Sequence, residues 1–214
     1  MKMPNGAIFD LDGTLLDSLH VWEDIDVRFL EKYGHRATPD YTREVTMLGF
    51  RKAAEYTVER YALSASPEEV IREWNEMSEE AYARTIQLKP GAREYLLSLR
   101  DHGVQLGIAT ALDPSRVRDV LVNNSVYDLF SSQTTLHEVS RGKGFPDIYL
   151  LEAQKLGIPP DQITVYEDLL QGVRGAKAGG FTVCGVYDSY TGDDWQEIVR
   201  IADRIIVDYR EHIG

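Results

Sequence analysis

The sequence predicts an α/β fold: a parallel sheet covered by helices on both faces and interrupted early by an all-helical insert. Three observations predict it. Ile8, Phe9 and Leu11 read as a buried strand, with Asp10 and Asp12 where that strand runs out and Gly13-Thr14 behind them. Residues 17–87 carry helical patterns only. Beyond Lys89-Pro90-Gly91, apolar runs of strand length alternate with helical patterns. The expected division is a core of residues 1–16 and 88–214 around a helical insert of residues 17–87.

The first strand sets the frame. Side chains at i and i+2 share a strand face, so the carboxylates of Asp10 and Asp12 are expected close together, and Gly13 lets the chain leave sharply. In the insert, Trp22, Ile25, Phe29 and Tyr33 recur at helical spacing, and Gly34 can end that helix. Residues 41–63 read as two short helices broken near Gly49. Ser66-Pro67-Glu68-Glu69 is a capping box with proline at the first helical position. It opens a helix expected to turn Val70, Ile71, Trp74, Met77, Ala81 and Tyr82 inward.

In the core, a helix bearing Tyr95, Leu96 and Leu99 stops at Gly103, ahead of a strand over 104–110. Asp113-Pro114 starts a helix with Val117, Val120 and Leu121 inward, and 131–135 is a short strand. Pro146 opens a helix that Gly157 stops. The strand over 163–166 ends in Glu167-Asp168, and a helix with Val173 and Ala176 runs to Gly179-Gly180. A strand over 181–187, a helix capped by Asp193-Asp194 and a last strand over 204–207 follow. Ligands of an open parallel sheet bind beyond the carboxyl ends of its strands. Asp10, Asp12, Thr110, Glu167 and Asp168 all stand at such ends.

Composition narrows the partners. A net charge of −12 argues against nucleic acid and anionic membrane. With 43% hydrophobic residues the chain can build a substantial core. Cys184 is the only cysteine, so no internal disulfide forms, and its apolar run marks it as a core residue. No apolar stretch has membrane-spanning length and no signal-peptide pattern is present, so a reducing cytoplasm is the expected location, with a monomer or weak dimer as the expected state.

Two acids at the end of a buried strand are costly unless a cation or chemistry uses them. A calcium loop does not fit: with Gly13 at position six, positions one and twelve would be Ile8 and Leu19, which cannot ligate. Each later signal is weak alone. A threonine ending a strand reflects β-propensity, a lone lysine is ordinarily solvated, and Glu167-Asp168 could cap a helix. Together the signals stand in one order: Asp10-x-Asp12-Gly13-Thr14, then Thr110, then Lys143 in Arg141-Gly142-Lys143-Gly144, then Glu167-Asp168. With the helical insert after the first motif, the chain resembles the haloacid dehalogenase-like superfamily, in the branch that holds small phosphatases and beta-phosphoglucomutase.

That resemblance implies a Rossmann-like core with a helical cap and an Mg2+-dependent phosphatase of small phosphorylated metabolites. It implies Asp10 as the nucleophile that becomes an aspartyl-phosphate, and Asp12 as general acid and then base. Mg2+ would be held by Asp10, the main-chain carbonyl of Asp12, Asp168 and Glu167. Thr110 would hydrogen-bond the phosphoryl group with Ala111 beside it, and Lys143 would supply positive charge opposite Asp10. Substrate choice falls to the cap, through the break at Gly49-Phe50-Arg51-Lys52 and Trp22 near the hinge, and the two linkers suggest a hinged lid. The sequence departs from the family pattern at Leu169, often serine there, and at Gly144, often proline.

The resemblance leaves other activities to weigh. Dehalogenating relatives lack the second aspartate, which Asp12 supplies here, and phosphonatase relatives need a cap lysine that 17–26 does not contain. A sugar-phosphate mutase needs a second anion site, and residues after the Thr110 strand are Ala111, Leu112, Asp113 and Pro114. Trp22 also stands where that mutase has a hinge histidine. A phosphatase is therefore expected, with the mutase as the alternative and a non-catalytic phosphate- or metal-binding module behind it.

Overall fold

The computed structural model describes residues 3–48 and 50–213. The chain divides into two compact units, Met1–Asp17 with Gln87–Gly214, and Ser18–Ile86. The first unit is built on six parallel strands. They are β1 (Gly6–Phe9) and, after the short β2 (Leu16–Asp17), the helices of the second unit and the short β3 (Gln87–Leu88), the strands β4 (Gln105–Thr110), β5 (Ser132–Thr135), β6 (Ile163–Glu167), β7 (Thr182–Val186) and β8 (Arg204–Ile206). Their order across the sheet is β5-β4-β1-β6-β7-β8. The core is thus a parallel α/β sheet, as the alternation of patterns predicts.

Register explains the composition of the two faces. Ile8 lies opposite Val165 and Phe9 opposite Tyr166. Successive side chains point to opposite faces, so Ile8 and Val165 share one face, and Phe9 and Tyr166 the other. Ile8 and Val165 join Ile148, Ala153, Val173, Ala176 and Val183 in one core, against α7 (Asp147–Leu156) and α8 (Leu170–Ala178). On the other face Phe9 stacks on Tyr166 at 4.2 Å, and Tyr95 of α5 (Ala92–Asp101) packs on Tyr166 and Tyr209. Cys184 is buried in β7. After β4 and β5 the chain returns across the sheet to β6 on the far side of β1. The reversal opens a crevice between β1 and β6 at their carboxyl ends, where such sheets bind ligands.

Three local readings change on folding. Leu11 is not in the strand: β1 stops at Phe9, and the Leu11 carbonyl accepts from Thr14, Leu15 and Leu16 at 3.2, 2.9 and 2.9 Å. Asp10 and Asp12 therefore sit in a tight turn, to which strand alternation does not apply, with Gly13 at a φ of 70°. Asp113 caps α6 (Pro114–Asn123) through the amides of Ser115 and Arg116, whereas Asp193 makes no such side-chain cap on α9 (Asp194–Ile201). The connecting segments read as linkers form a ribbon instead: β2 and β3 pair antiparallel, Leu16 opposite Leu88. Lys89 fastens it, its amide to Leu15 and its ammonium to the Tyr187 carbonyl at 2.8 Å and to Asp188.

The second unit holds α1 (Leu19–Lys32), α2 (Pro39–Met47), α3 (Phe50–Tyr61) and α4 (Pro67–Arg84). Ser66 and Glu69 form the capping box that starts α4. Phe29 and Trp74 meet edge to face at 5.7 Å between α1 and α4. The inward faces differ slightly from the pattern. Val21 and Leu30 are buried while Trp22 is half-buried, and Ser78 is buried where Ile71 and Met77 are not. Ser78 enters the interior because its hydroxyl is satisfied by the Asn75 carbonyl. No helix among the described residues is long and apolar enough to cross a membrane.

Candidate active site

The turn after β1 begins with Asp10, whose amide extends the ladder by donating to the Tyr166 carbonyl at 3.0 Å. This places Asp10 beside the last residue of β6, Glu167. Both are buried, as is Asp168. One carboxylate oxygen from each of Asp10, Glu167 and Asp168 lies within 4.8 Å of the others. The Lys143 ammonium sits between two of them, 2.5 Å from Asp10 Oδ1 and 2.6 Å from Glu167 Oε1. Asp168 Oδ1 accepts from the Thr14 hydroxyl at 2.9 Å, and Glu167 Oε1 also accepts from the Tyr149 hydroxyl at 2.7 Å. Glu167 and Asp168 do not cap the following helix, whose N-cap is Leu169.

Three buried carboxylates against one ammonium leave an excess of negative charge. Burial raises the Asp168 carboxyl well above its usual range, and its neighbours Asp10 and Glu167 raise it further. Burial also pushes Glu167 up to about 7, with Lys143 pulling the other way. For Lys143 burial opposes the charge, but Asp10 and Glu167 overcome it and hold the ammonium above its ordinary value. The donor set is oxygen only and carries surplus charge, which suits a hard divalent cation such as Mg2+.

Thr110 ends β4, two residues past Ile108, the partner of Phe9, and is buried, its hydroxyl accepting from the Leu112 amide at 3.2 Å. Ala111 is exposed beside it, and Leu112 is buried. Asp12 is half-buried in the turn. Arg51 and Lys52 are exposed on α3 of the helical unit, Arg51 bound to Glu68 at 2.7 Å, and Trp22 lies on α1. Gly49 and the side chain of Phe50 lie outside the described residues.

Sequence reasoning missed the parts that hold this cluster. Gly172 and Gly175 share one face of α8. A Cβ on Gly172 would lie 2.4 Å from the Glu167 carboxyl carbon, and one on Gly175 would lie 2.0 Å from the Lys143 carbonyl. Small residues there let the helix approach both. The spacing Gly172-x-x-Gly175 was the available signal. Arg141 pins the lysine loop, bidentate on Asp147 at 2.9 and 2.6 Å and over the Phe145 ring at 4.4 Å.

A family profile of haloacid dehalogenase-like hydrolases matches residues 7–186. The chain belongs to this family. It is 27% identical to the phosphorylated carbohydrates phosphatase of Thermotoga maritima over 174 residues, 81% of each chain. It is 31% identical to hexitol phosphatase A of Escherichia coli over 185 residues, 85% of this chain and 82% of the relative. A crystal structure from Thermotoga maritima, of a "putative beta-phosphoglucomutase", superposes with a TM-score of 0.88 at 26% identity, covering 98% of this chain and 96% of that one. As an enzyme the family member described here is a phosphoric monoester hydrolase.

Proposed function

We propose that the substrate is a small phosphorylated metabolite, a sugar phosphate or similar monoester, hydrolysed through an aspartyl-phosphate on Asp10 with Mg2+ as cofactor. The observation that carries the reading is the Lys143 ammonium between Asp10 and Glu167, with Asp168 in the same cluster. An ammonium 2.5 Å from Asp10 Oδ1 marks where negative phosphoryl oxygens would be neutralised. Mg2+ would be held by Asp10, Asp168, the Asp12 carbonyl and Glu167, and would supply charge neutralisation and in-line orientation. Asp10 attacks phosphorus in line, and the bond to the leaving oxygen breaks. Asp12 gives that oxygen a proton and then takes one from the water that cleaves the acyl phosphate. Thr110 donates its hydroxyl to the phosphoryl group. Selection of the leaving group is assigned to the helical unit, through Arg51, Lys52 and Trp22.

The mutase is the second reading, supported by the likeness to the Thermotoga maritima structure. Against it, Asp113 is an ionised helix cap: burial is the largest single influence and raises its carboxyl, but Ser115, the Arg116 amide and the Arg116 guanidinium together outweigh it and hold the group below the usual range. A carboxylate there would repel a second phosphate. The test is a panel of phosphate monoesters assayed with Mg2+ and with chelator. Release of inorganic phosphate that stops on chelation is expected. Conversion of beta-glucose 1-phosphate, with a trace of the 1,6-bisphosphate, into glucose 6-phosphate faster than phosphate appears would replace the phosphatase by the mutase.

A further inference from the structure

Glu167 is enclosed on several sides. Its Oε1 takes hydrogen bonds from Lys143 at 2.6 Å and Tyr149 at 2.7 Å. A carboxylate oxygen has two in-plane lone-pair directions, and these two donors use both. Among the described residues, Oε2 has only a long approach of 3.4 Å from the Leu169 amide. Below the carboxylate lies Gly172, where a Cβ would come within 2.4 to 2.6 Å of Cδ and both oxygens. The group therefore has one seat and one orientation.

Tyr149 supplies the part of this clamp that packing does not explain. Its ring is fully buried in the core that Ile8 and Val165 share, and meets Phe181 edge to face at 6.3 Å. Phenylalanine would serve that contact equally well. A buried hydroxyl is costly unless it is bonded, and here its acceptor is the carboxylate that ends β6. Tyr149 stands in the first turn of α7, directly after the loop carrying Lys143. The two donors to Oε1 thus come from one stretch of chain, one charged and one neutral.

We propose that Tyr149 is a positioning residue for the reaction read above. Its hydroxyl orients Glu167 so that Oε1 keeps Lys143 at equal reach of Asp10 and Oε2 is left for the cation. Without it Oε1 has one donor in place of two, the carboxylate can turn, and the ammonium is drawn from its place beside Asp10. The inference rests on the phosphatase reading for its kinetic consequence and on the acidic cluster alone for its effect on metal binding.

The experiment is Tyr149→Phe, which keeps ring and packing, compared with wild type, Glu167→Gln and the double variant. Mg2+ binding is measured by calorimetry without substrate, and kcat and KM on a monoester from the panel. Loss of an outer partner of a metal-site carboxylate costs about 10- to 100-fold in affinity or activity. Tyr149→Phe is therefore expected to weaken Mg2+ binding and lower kcat about tenfold each, with KM within about twofold. In the Glu167→Gln background the same change is expected to do nothing further, because the group it orients has been altered. Tyr149→Phe with wild-type Mg2+ affinity, or the same loss in both backgrounds, overturns the proposal, as does a wild type that binds no Mg2+. If wild type hydrolyses no monoester, the phosphatase reading fails, and calorimetry still decides the role of Tyr149.

Discussion

Lys143 lies between two carboxylates, 2.5 Å from Asp10 and 2.6 Å from Glu167, and is 8% exposed. An ammonium so enclosed is tolerable only because two carboxyl groups face it within hydrogen-bond reach. The reverse holds as well, since without Lys143 three acids would share one buried site. Lys143→Ala is expected to cut turnover by about 10²- to 10³-fold, through loss of charge stabilisation, and to destabilise the protein by roughly 3–5 kcal/mol in the absence of divalent cation. Steady-state kinetics and urea unfolding with and without Mg2+ check both parts, and added Mg2+ should recover part of the stability. Asp10→Asn keeps the shape of the side chain but removes the nucleophile proposed above. Phosphate release should fall at least about 10³-fold while circular dichroism melts as a folded protein. Residual turnover close to wild type would mean that Asp10 is not the attacking group.

Helix α8 shows how an element positions chemistry that it does not itself carry. Its Gly172 and Gly175 face the Glu167 carboxylate and the Lys143 carbonyl. A methyl group on Gly175 would meet the Lys143 carbonyl at 2.0 Å and the Phe145 carbonyl at 3.0 Å, and backbone has little room to give. Gly175→Ala is therefore expected to push the lysine loop from the helix. Overpacking of this kind costs about 1–3 kcal/mol, and activity should fall about tenfold or more as Lys143 leaves Asp10. Gly142→Ala is the control in the same loop: nothing lies within 4 Å of its Cβ position, so activity and melting temperature should stay near wild type. Equal behaviour of the two variants would remove α8 from the account.

At the scale of the whole molecule, the helical unit carries a pH dependence of its own. Asp26 accepts from the Tyr41 hydroxyl at 3.2 Å, and Tyr41 also meets the Thr57 hydroxyl at 3.0 Å. Thr57 donates to the Ala53 carbonyl at 2.7 Å, so its own proton is committed. The single phenol proton of Tyr41 cannot serve Thr57 and Asp26 fully at once. A protonated Asp26 resolves the conflict by donating to Tyr41. Burial chiefly raises Asp26 to about 6, Tyr41 opposes, and Glu23 adds to the rise. Because the folded value lies above the unfolded one, the contribution of Asp26 is fully present below about pH 4 and is lost as pH rises through about 6. Asp26→Asn should add roughly 1–3 kcal/mol at pH 7–8 and nothing at pH 4, where the native acid is already neutral. Calorimetric melting of the full chain across that range checks it. Equal effects at both ends would show that the carboxyl is ionised throughout.

What was legible in the sequence is what neighbours along the chain decide. The alternation of strand and helix, the capping box at Ser66, the cap at Asp113, and acids at the ends of β1 and β6 all rest on side chains within a turn or a strand of each other. Folding decided what depends on distant segments meeting. Thr14 reaches Asp168 across 154 residues, and Lys143 reaches Glu167 across 24. Contacts over such separations leave no periodic trace, so nothing in the sequence pattern singles out Tyr149, Gly172 or Gly175. The turn after Phe9 was hidden for a related reason. Leu11 is apolar and buried, as a strand residue would be, and only the three amides converging on its carbonyl show that the strand has already ended. Periodicity reports which side chains are buried; which backbone groups and which charges they are buried with is settled only by packing.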